Sequence, residues 1–206
     1  MANWTDCWRC ALENPQTWEE VDIWRKAERQ RLAAGRLALS VEQRASLTRE
    51  IIARLNQAVE ITPGRIISAY FPYRGEPDLR PWMAQISSRG ARVALPIVAT
   101  KNAPLTFRLW TPEARLERGV LGIPVPAGTE EVTPDVVLAP CLGFDRSCYR
   151  LGYGGGYFDR TLAAFEKRPL AIGVAFAPFQ IETIFPQPHD IPMDRIVTDQ
   201  GIWTPV

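Results

Sequence analysis

Histidine is nearly absent from this chain: His189 is the only one in 206 residues. Cysteine is sparse as well, limited to Cys7, Cys10, Cys141 and Cys148. A structural zinc site needs four ligands at suitable spacing. Cys7 and Cys10 form a C-x-x-C, but Cys141 and Cys148 do not form a second one, and a single histidine does not complete the set. The four cysteines are therefore read as reduced thiols. A Cys7/Cys10 redox pair is the weaker alternative, because no strand precedes it as a thioredoxin-like motif requires.

An excess of charge is also missing. Lys and Arg number 24 against 23 Asp and Glu, a net charge of +1. Bulk electrostatics thus give no argument for nucleic acid or an anionic membrane surface, and neither is an expected partner. No apolar run reaches the roughly 20 residues that span a bilayer. The first sixteen residues lack a basic segment followed by an apolar core, so no secretory signal is expected and the expected location is cytoplasmic. Internal repeats and low-complexity segments are absent.

What remains is an ordinary globular composition, 46% apolar and 23% charged, in a chain long enough for one sizeable core. Residues 1–20, with Trp4 and Trp8, are read as an N-terminal extension, and 21–206 as a single domain. Thr17-Trp18-Glu19-Glu20 and Ser40-Val41-Glu42-Gln43 are capping boxes that start two helices, running to about Leu37 and Val59. Leu47, Ile51, Ile52, Leu55 and Val59 fall at helical spacing in the second. After Thr62-Pro63-Gly64 the pattern changes to strands at 65–71, 91–97, 105–110, 136–140, 170–176 and 195–198, with helices at 79–88 and 157–165. Val136 to Pro140 is a continuous apolar run, as in a strand buried on both faces. Residues 111–134, rich in Pro and Gly, read as a long surface excursion. The alternation predicts an α/β fold of three layers, a largely parallel, Rossmann-like sheet with helices on both faces.

The densest signal is Arg150-Leu151-Gly152-Tyr153-Gly154-Gly155-Gly156-Tyr157-Phe158-Asp159-Arg160, with four glycines in five positions between a strand and a helix. Glycine lets successive backbone N–H groups turn inward, which makes an anion-binding concavity, and a following helix N-terminus adds partial positive charge. A glycine-rich surface turn with a helix cap fits the composition equally well. Arg150, able to pair with phosphate, and Asp159, able to carry Mg²⁺, tip the balance toward phosphate. The loop lacks the G-K-[ST] ending of a P-loop, and Tyr157 stands where G-x-G-x-x-G has its third glycine.

Pro140-Cys141-Leu142-Gly143-Phe144-Asp145, followed by the Arg150–Arg160 segment, closely resembles the 5-formyltetrahydrofolate cyclo-ligase family, which carries P-x-x-x-F-D and then R-L-G-x-G-x-G-Y-Y-D. Arg25 and Arg29, Gly75-Glu76-Pro77-Asp78, and His189-Asp190 with Asp194 fall in the family's order. The resemblance spans about residues 22–203. It implies an enzyme that uses ATP and Mg²⁺ to close 5-formyltetrahydrofolate to 5,10-methenyltetrahydrofolate. The formyl oxygen attacks the γ-phosphate, and the neighbouring amine nitrogen then displaces phosphate from the activated carbon. It further implies that ATP is held by Arg25, Arg29, Arg150, Leu151, Gly152, Tyr153, Gly154, Gly155, Gly156, Tyr157 and Phe158. Arg150 and Tyr157 would act on the reacting groups. Phe71, Glu76, Trp110 and Tyr153 would contact the reduced folate, and Asp159 and Asp190 would hold Mg²⁺. His189 is given no proton-transfer role. A monomer is expected.

Without the resemblance, Arg25, Lys26, Arg29 and Arg31 read equally well as a solvated helix face. Glu76 reads as a turn residue, Asp190 as a loop carboxylate, and the two tyrosines as packing. Three positions depart from the family pattern: Phe158 replaces a tyrosine, Cys148 stands at a usual glycine, and Leu79 at a usual threonine. Two rival functions follow, a paralogue that keeps the ATP site for another small molecule and a non-catalytic folate- or nucleotide-binding protein.

Overall fold

The computed structural model describes residues 15–205. Trp4, Cys7, Trp8 and Cys10 lie outside the described residues. Both capping boxes form. Thr17 Oγ1 accepts from the Glu20 N–H at 3.2 Å, and Glu20 accepts back from the Thr17 N–H at 2.9 Å, opening helix α1 (Trp18–Ala38). Ser40 and Gln43 do the same for α2 (Val41–Ala58). Each such cap is worth about 1 kcal/mol. The last residues of the 1–20 segment therefore already belong to α1.

Eleven strands and two further helices follow. The strands are β1 (Ile66–Ser68), β2 (Arg92–Ile97), β3 (Thr106–Trp110), β4 (Leu116–Arg118), β5 (Pro124–Pro126), β6 (Val136–Pro140), β7 (Gly143–Phe144), β8 (Arg150–Leu151), β9 (Leu170–Val174), β10 (Arg195–Val197) and β11 (Ile202–Trp203). The helices are α3 (Arg80–Ser88) and α4 (Tyr157–Ala164). Seven strands form one sheet in the order β11-β10-β9-β6-β1-β2-β3. Its five central strands are parallel, and β3 and β11 close the edges antiparallel. The surface excursion at 111–134 contains the hairpin β4–β5, and β7 pairs with β8 beside the main sheet.

Strand side chains alternate between faces, and the core divides accordingly. Ile67, Val93, Leu95, Val136, Leu138, Ile172 and Val174 pack against Leu32, Ile51, Leu55, Trp82, Met83 and Ile86 from α1, α2 and α3. Trp82 is completely buried, and its indole N–H donates to Asn56 Oδ1 at 3.0 Å. The opposite face is thinner. Ala139, Ala171 and Ile196 meet Leu162 of α4, while Ala94, Phe107 and Val137 meet Phe158 and Phe165. This is the expected α/β arrangement of helices on both faces, with three on one side and one on the other.

The chain runs from β1 to β2 on one side of the sheet and from β6 through β9 to β10 on the other. Its direction of winding therefore reverses between β1 and β6. Ligands of open α/β sheets bind outside the carboxyl ends of strands at such a reversal. The segments that follow β1 and β6 there are Ala69–Glu76 and the stretch leading into the glycine loop.

Candidate active site

A cavity of about 800 Å³ opens at that reversal. Tyr70, Phe71, Tyr73 and Glu76 line it after β1, Leu95 to Ala99 at the end of β2 and just beyond it, Pro140 at the end of β6, and the whole run from Arg150 to Asp159. Arg25 and Arg29 reach it from α1, His189 and Asp190 from the loop before β10, and residues 117–120 and 123–125 of the β4–β5 hairpin wall its outer side. Fifteen of the sixteen residues expected at the site are brought to this one cavity. Trp110 is the exception. It is 7% exposed in the main core and meets Phe71 edge-on, ring centroids 6.0 Å apart, so it backs the aromatic wall without lining it.

The glycine loop adopts backbone angles that explain its composition. Gly154 has φ +91°, and a Cβ there would sit 3.3 Å from Arg29 Cζ. Gly156, the residue before α4, has φ +61°, where an added Cβ would meet the Arg160 guanidinium at 2.8 Å. Among the described residues no acceptor pairs with the N–H groups of Gly154, Gly155 or Gly156. They remain available at the start of α4. Arg29 stands over the loop, its Nε donating to the Gly152 carbonyl at 2.9 Å. Burial and then the neighbouring Arg25 press its guanidinium below the ordinary arginine range, so an anion arriving here meets a poorly compensated cation.

The other cations are differently committed. Arg150 was expected to meet phosphate, but its Nη2 lies 2.8 Å from Asp159 Oδ2 and its Nη1 donates to the Ile191 carbonyl at 3.1 Å. Arg25 pairs with Asp190 at 2.5 Å and donates to the carbonyls of Ile184 and Phe185 at 3.0 and 2.9 Å. It is 5% exposed, so it is not part of a solvated face. The reason is spacing: Val21, Arg25, Leu32 and Arg36 are the buried residues of α1 and share one stripe. Asp159 Oδ1 accepts from the Ile191 N–H at 3.1 Å and Asp190 Oδ2 from the Gln187 N–H at 2.6 Å. Two arginine–aspartate pairs thus strap down residues 184–191, of which His189 and Asp190 line the cavity. Burial raises the Asp190 acid, but the Arg25 and Gln187 hydrogen bonds outweigh it and the net shift is downward. Among the described residues no group of three or more His, Cys, Asp or Glu side chains could enclose a metal ion.

On the opposite wall Glu76 is 6% exposed and accepts from the Tyr73 N–H at 2.9 Å. Burial pushes its carboxyl up to about 7, against the pull of Arg36, whose Nη2 is 3.9 Å from Glu76 Oε1. Arg36 also donates to the hydroxyl of Tyr153. Cys148, which stands at a usual glycine, has φ +61° and is completely buried. A side chain is thus carried in a left-handed conformation at the turn between β7 and β8. Burial pushes Cys148 up to about 11 and Cys141 up to about 12, so both are inert thiols.

The model of the 5-formyltetrahydrofolate cyclo-ligase family matches residues 21–199. The chain belongs to this family. It is 29% identical over 175 residues to the 5-formyltetrahydrofolate cyclo-ligase of Escherichia coli K12, covering 82% of this chain and 96% of that one. The Mycolicibacterium smegmatis cyclo-ligase is 33% identical over 143 residues, covering 66% of this chain and 74% of its own. The solved structure of Aquifex aeolicus 5,10-methenyltetrahydrofolate synthetase superposes with a TM-score of 0.75 at 29% identity, covering 87% of this chain and 92% of that one.

The grouping of these residues in one cavity was therefore readable from motifs, but part of the cavity wall was not. Tyr73, Arg74, Arg108 and Arg118 were missed, and so was Arg36 directly behind the wall. Arg36 had a usable signal, since it lies eleven residues, about three turns, beyond Arg25 on the same stripe. Arg108 and Arg118 reach the cavity only because β3 and the β4–β5 hairpin fold over it, and no local pattern announces that. Among the described residues no helix is long and apolar enough to cross a membrane.

Proposed function

We propose that this cavity is where the chain closes 5-formyltetrahydrofolate to 5,10-methenyltetrahydrofolate, with ATP converted to ADP and phosphate. The observation that carries the proposal is the single cavity itself. Unpaired glycine-loop N–H groups under Arg29 stand on one side, and Phe71, Tyr73 and Glu76 on the other. A reaction between two substrates needs both held against each other, and fixing that geometry removes much of the barrier.

The formyl oxygen is a poor leaving group until phosphorylated. It forms a bond to the γ-phosphorus as the bond to ADP breaks. The neighbouring amine nitrogen then bonds to the activated carbon, gives up its proton, and inorganic phosphate departs. Phosphoryl transfer asks the protein mainly for positioning and charge neutralisation. Arg29 and the amides of Gly154, Gly155 and Gly156 meet that need directly. Leu151, Gly152, Tyr157 and Phe158 shape the loop, and Arg25 and Arg150 act through the 184–191 strap. Glu76 accepts hydrogen bonds from the donor edge of the pterin while Phe71 and Tyr153 flank the ring.

Mg²⁺ fits a site with few protein ligands, because it keeps water and binds through one or two carboxylates plus substrate phosphates. Asp159 and Asp190 would hold it, and it would neutralise phosphate charge. The chain works as a cytoplasmic monomer in this reading. The decisive experiment follows methenyltetrahydrofolate absorbance after mixing folded protein with 5-formyltetrahydrofolate, ATP and Mg²⁺. Product is expected only when all three are present. ATP turnover without methenyl product would favour a paralogue acting on another molecule.

A further inference from the structure

Arg36 takes no part in the chemistry above and does not line the cavity, yet it is 1% exposed directly behind it. Burying a guanidinium is costly unless its donors are satisfied. Here Nε donates to the Arg74 carbonyl at 3.1 Å, and Nη2 is 3.5 Å from the Tyr73 carbonyl and also donates to the Tyr153 hydroxyl. Nη1 is 3.5 Å from the Cys141 carbonyl, and Nη2 is 3.9 Å from Glu76 Oε1. One side chain therefore touches the turn after β1, the end of β6 and the glycine loop. The contacting residues other than Cys141 all line the cavity.

We infer that Arg36 is a positioning residue for the folate half of the site, fastening the Glu76 carboxylate and the Tyr153 hydroxyl to one buried cation. The inference rests on the proposed function only in taking reduced folate as the ligand of that half.

The groups that face Glu76 are few. Tyr70 and Tyr73 come from its own segment, Tyr153 from the glycine loop, Cys141 from the end of β6, Arg74 from the turn and Arg36 from α1. Burial raises the hydroxyls of Tyr70 and Tyr153 and the thiol of Cys141, so all three stay neutral near pH 7. Arg74 is exposed and lies over the Tyr73 ring at 5.1 Å. Arg36 is thus the buried charge that opposes the effect of burial on Glu76. A carboxyl that accepts from two pterin donors, one on each oxygen, has to be ionised, because a protonated oxygen donates instead. Removing Arg36 shifts its titration to higher pH, and folate binding then fails over a wider range.

The test measures 5-formyltetrahydrofolate binding from pH 5.5 to 9 without ATP, whose terminal phosphate titrates in the same range. For the natural protein, binding is expected to weaken below about pH 7. For Arg36→Met the inflection moves up by about a unit, so affinity is about fivefold lower at pH 7 and largely recovers at pH 9. Arg36→Lys keeps the charge and restores the natural inflection. Tyr153→Phe weakens binding without moving it. Should Arg36→Met not fold, Arg36→Gln removes the charge while retaining polar contacts, and the same shift is expected. An Arg36→Met or Arg36→Gln profile weakened equally at every pH, or unchanged, would overturn the inference. Failure of the natural protein to bind this folate at all would instead overturn the proposed function.

Discussion

Arg150 Nη2 lies 2.8 Å from Asp159 Oδ2, so the two charged residues that flank the glycine loop hold one another. The pair joins β8 to the first turn of α4 and fixes the loop between them. Their side chains are 5% and 18% exposed. Removing either partner leaves a largely buried charge uncompensated. Arg150→Met and Asp159→Asn should each lower stability by about 1–3 kcal/mol in urea titrations. The double variant should lose clearly less than the sum of the two. Strict additivity would mean that the pair holds nothing.

Arg25 and Arg29 sit one helical turn apart and should fail differently. Arg29 presents its remaining donors to the cavity. Arg29→Gln should raise the KM for ATP roughly 10–100-fold, the worth of lost charge-assisted hydrogen bonds, with the melting temperature nearly unchanged. Arg25 is spent on Ile184, Phe185 and Asp190. Arg25→Gln should lower the melting temperature by about 4–10 °C. Steady-state kinetics and thermal melts on the same two preparations separate these roles.

Glu76 carries a stability cost with a defined pH dependence. Burial moves its carboxyl from 4.5 to about 7, so the folded state favours the protonated form. Its contribution is therefore fully present below pH 4.5 and is lost as pH rises through about 7. Glu76→Gln does not titrate. Relative to the natural protein it should gain about 2 kcal/mol between pH 5 and pH 8, on top of any constant offset from leaving Arg36 without its partner. Denaturant titrations at both pH values read the difference. The same variant should bind 5-formyltetrahydrofolate more weakly, since an amide offers the pterin one acceptor oxygen where the carboxylate offers two.

Much of this was legible in the chain. The capping boxes at Thr17 and Ser40 start helices where they indicate, and the apolar run Val136–Pro140 is the centre of the sheet. Motif order brought Arg25, Arg29, Glu76, Arg150, Asp159 and Asp190 to one cavity. The hairpin β4–β5 escaped because all three residues of Leu116–Arg118 are exposed, which erases the alternation a strand normally displays. Trp110 was misplaced for a related reason. A strand's period says which face a residue takes, not whether that face meets ligand or core, and Phe71 stands in front of it. The commitment of Arg150 and Arg25 to aspartates was hidden because each pair joins segments whose distance is set only by the closed fold.

The two faces of the sheet are unequally insulated, and this has a consequence for how the protein opens. Three helices cover one side, whereas α4, only eight residues long, covers much of the other and is tied by Asp159 to Ile191 at the end of the strapped 184–191 segment. Amide exchange should be slowest in β1, β6 and β9 and fastest where the lone helix and the strap lift away together. A nucleotide bridging those two pieces would act as a removable crosslink. The lifetime of the closed form would then follow the ATP concentration around it, by an increment of RT ln(1 + [L]/Kd).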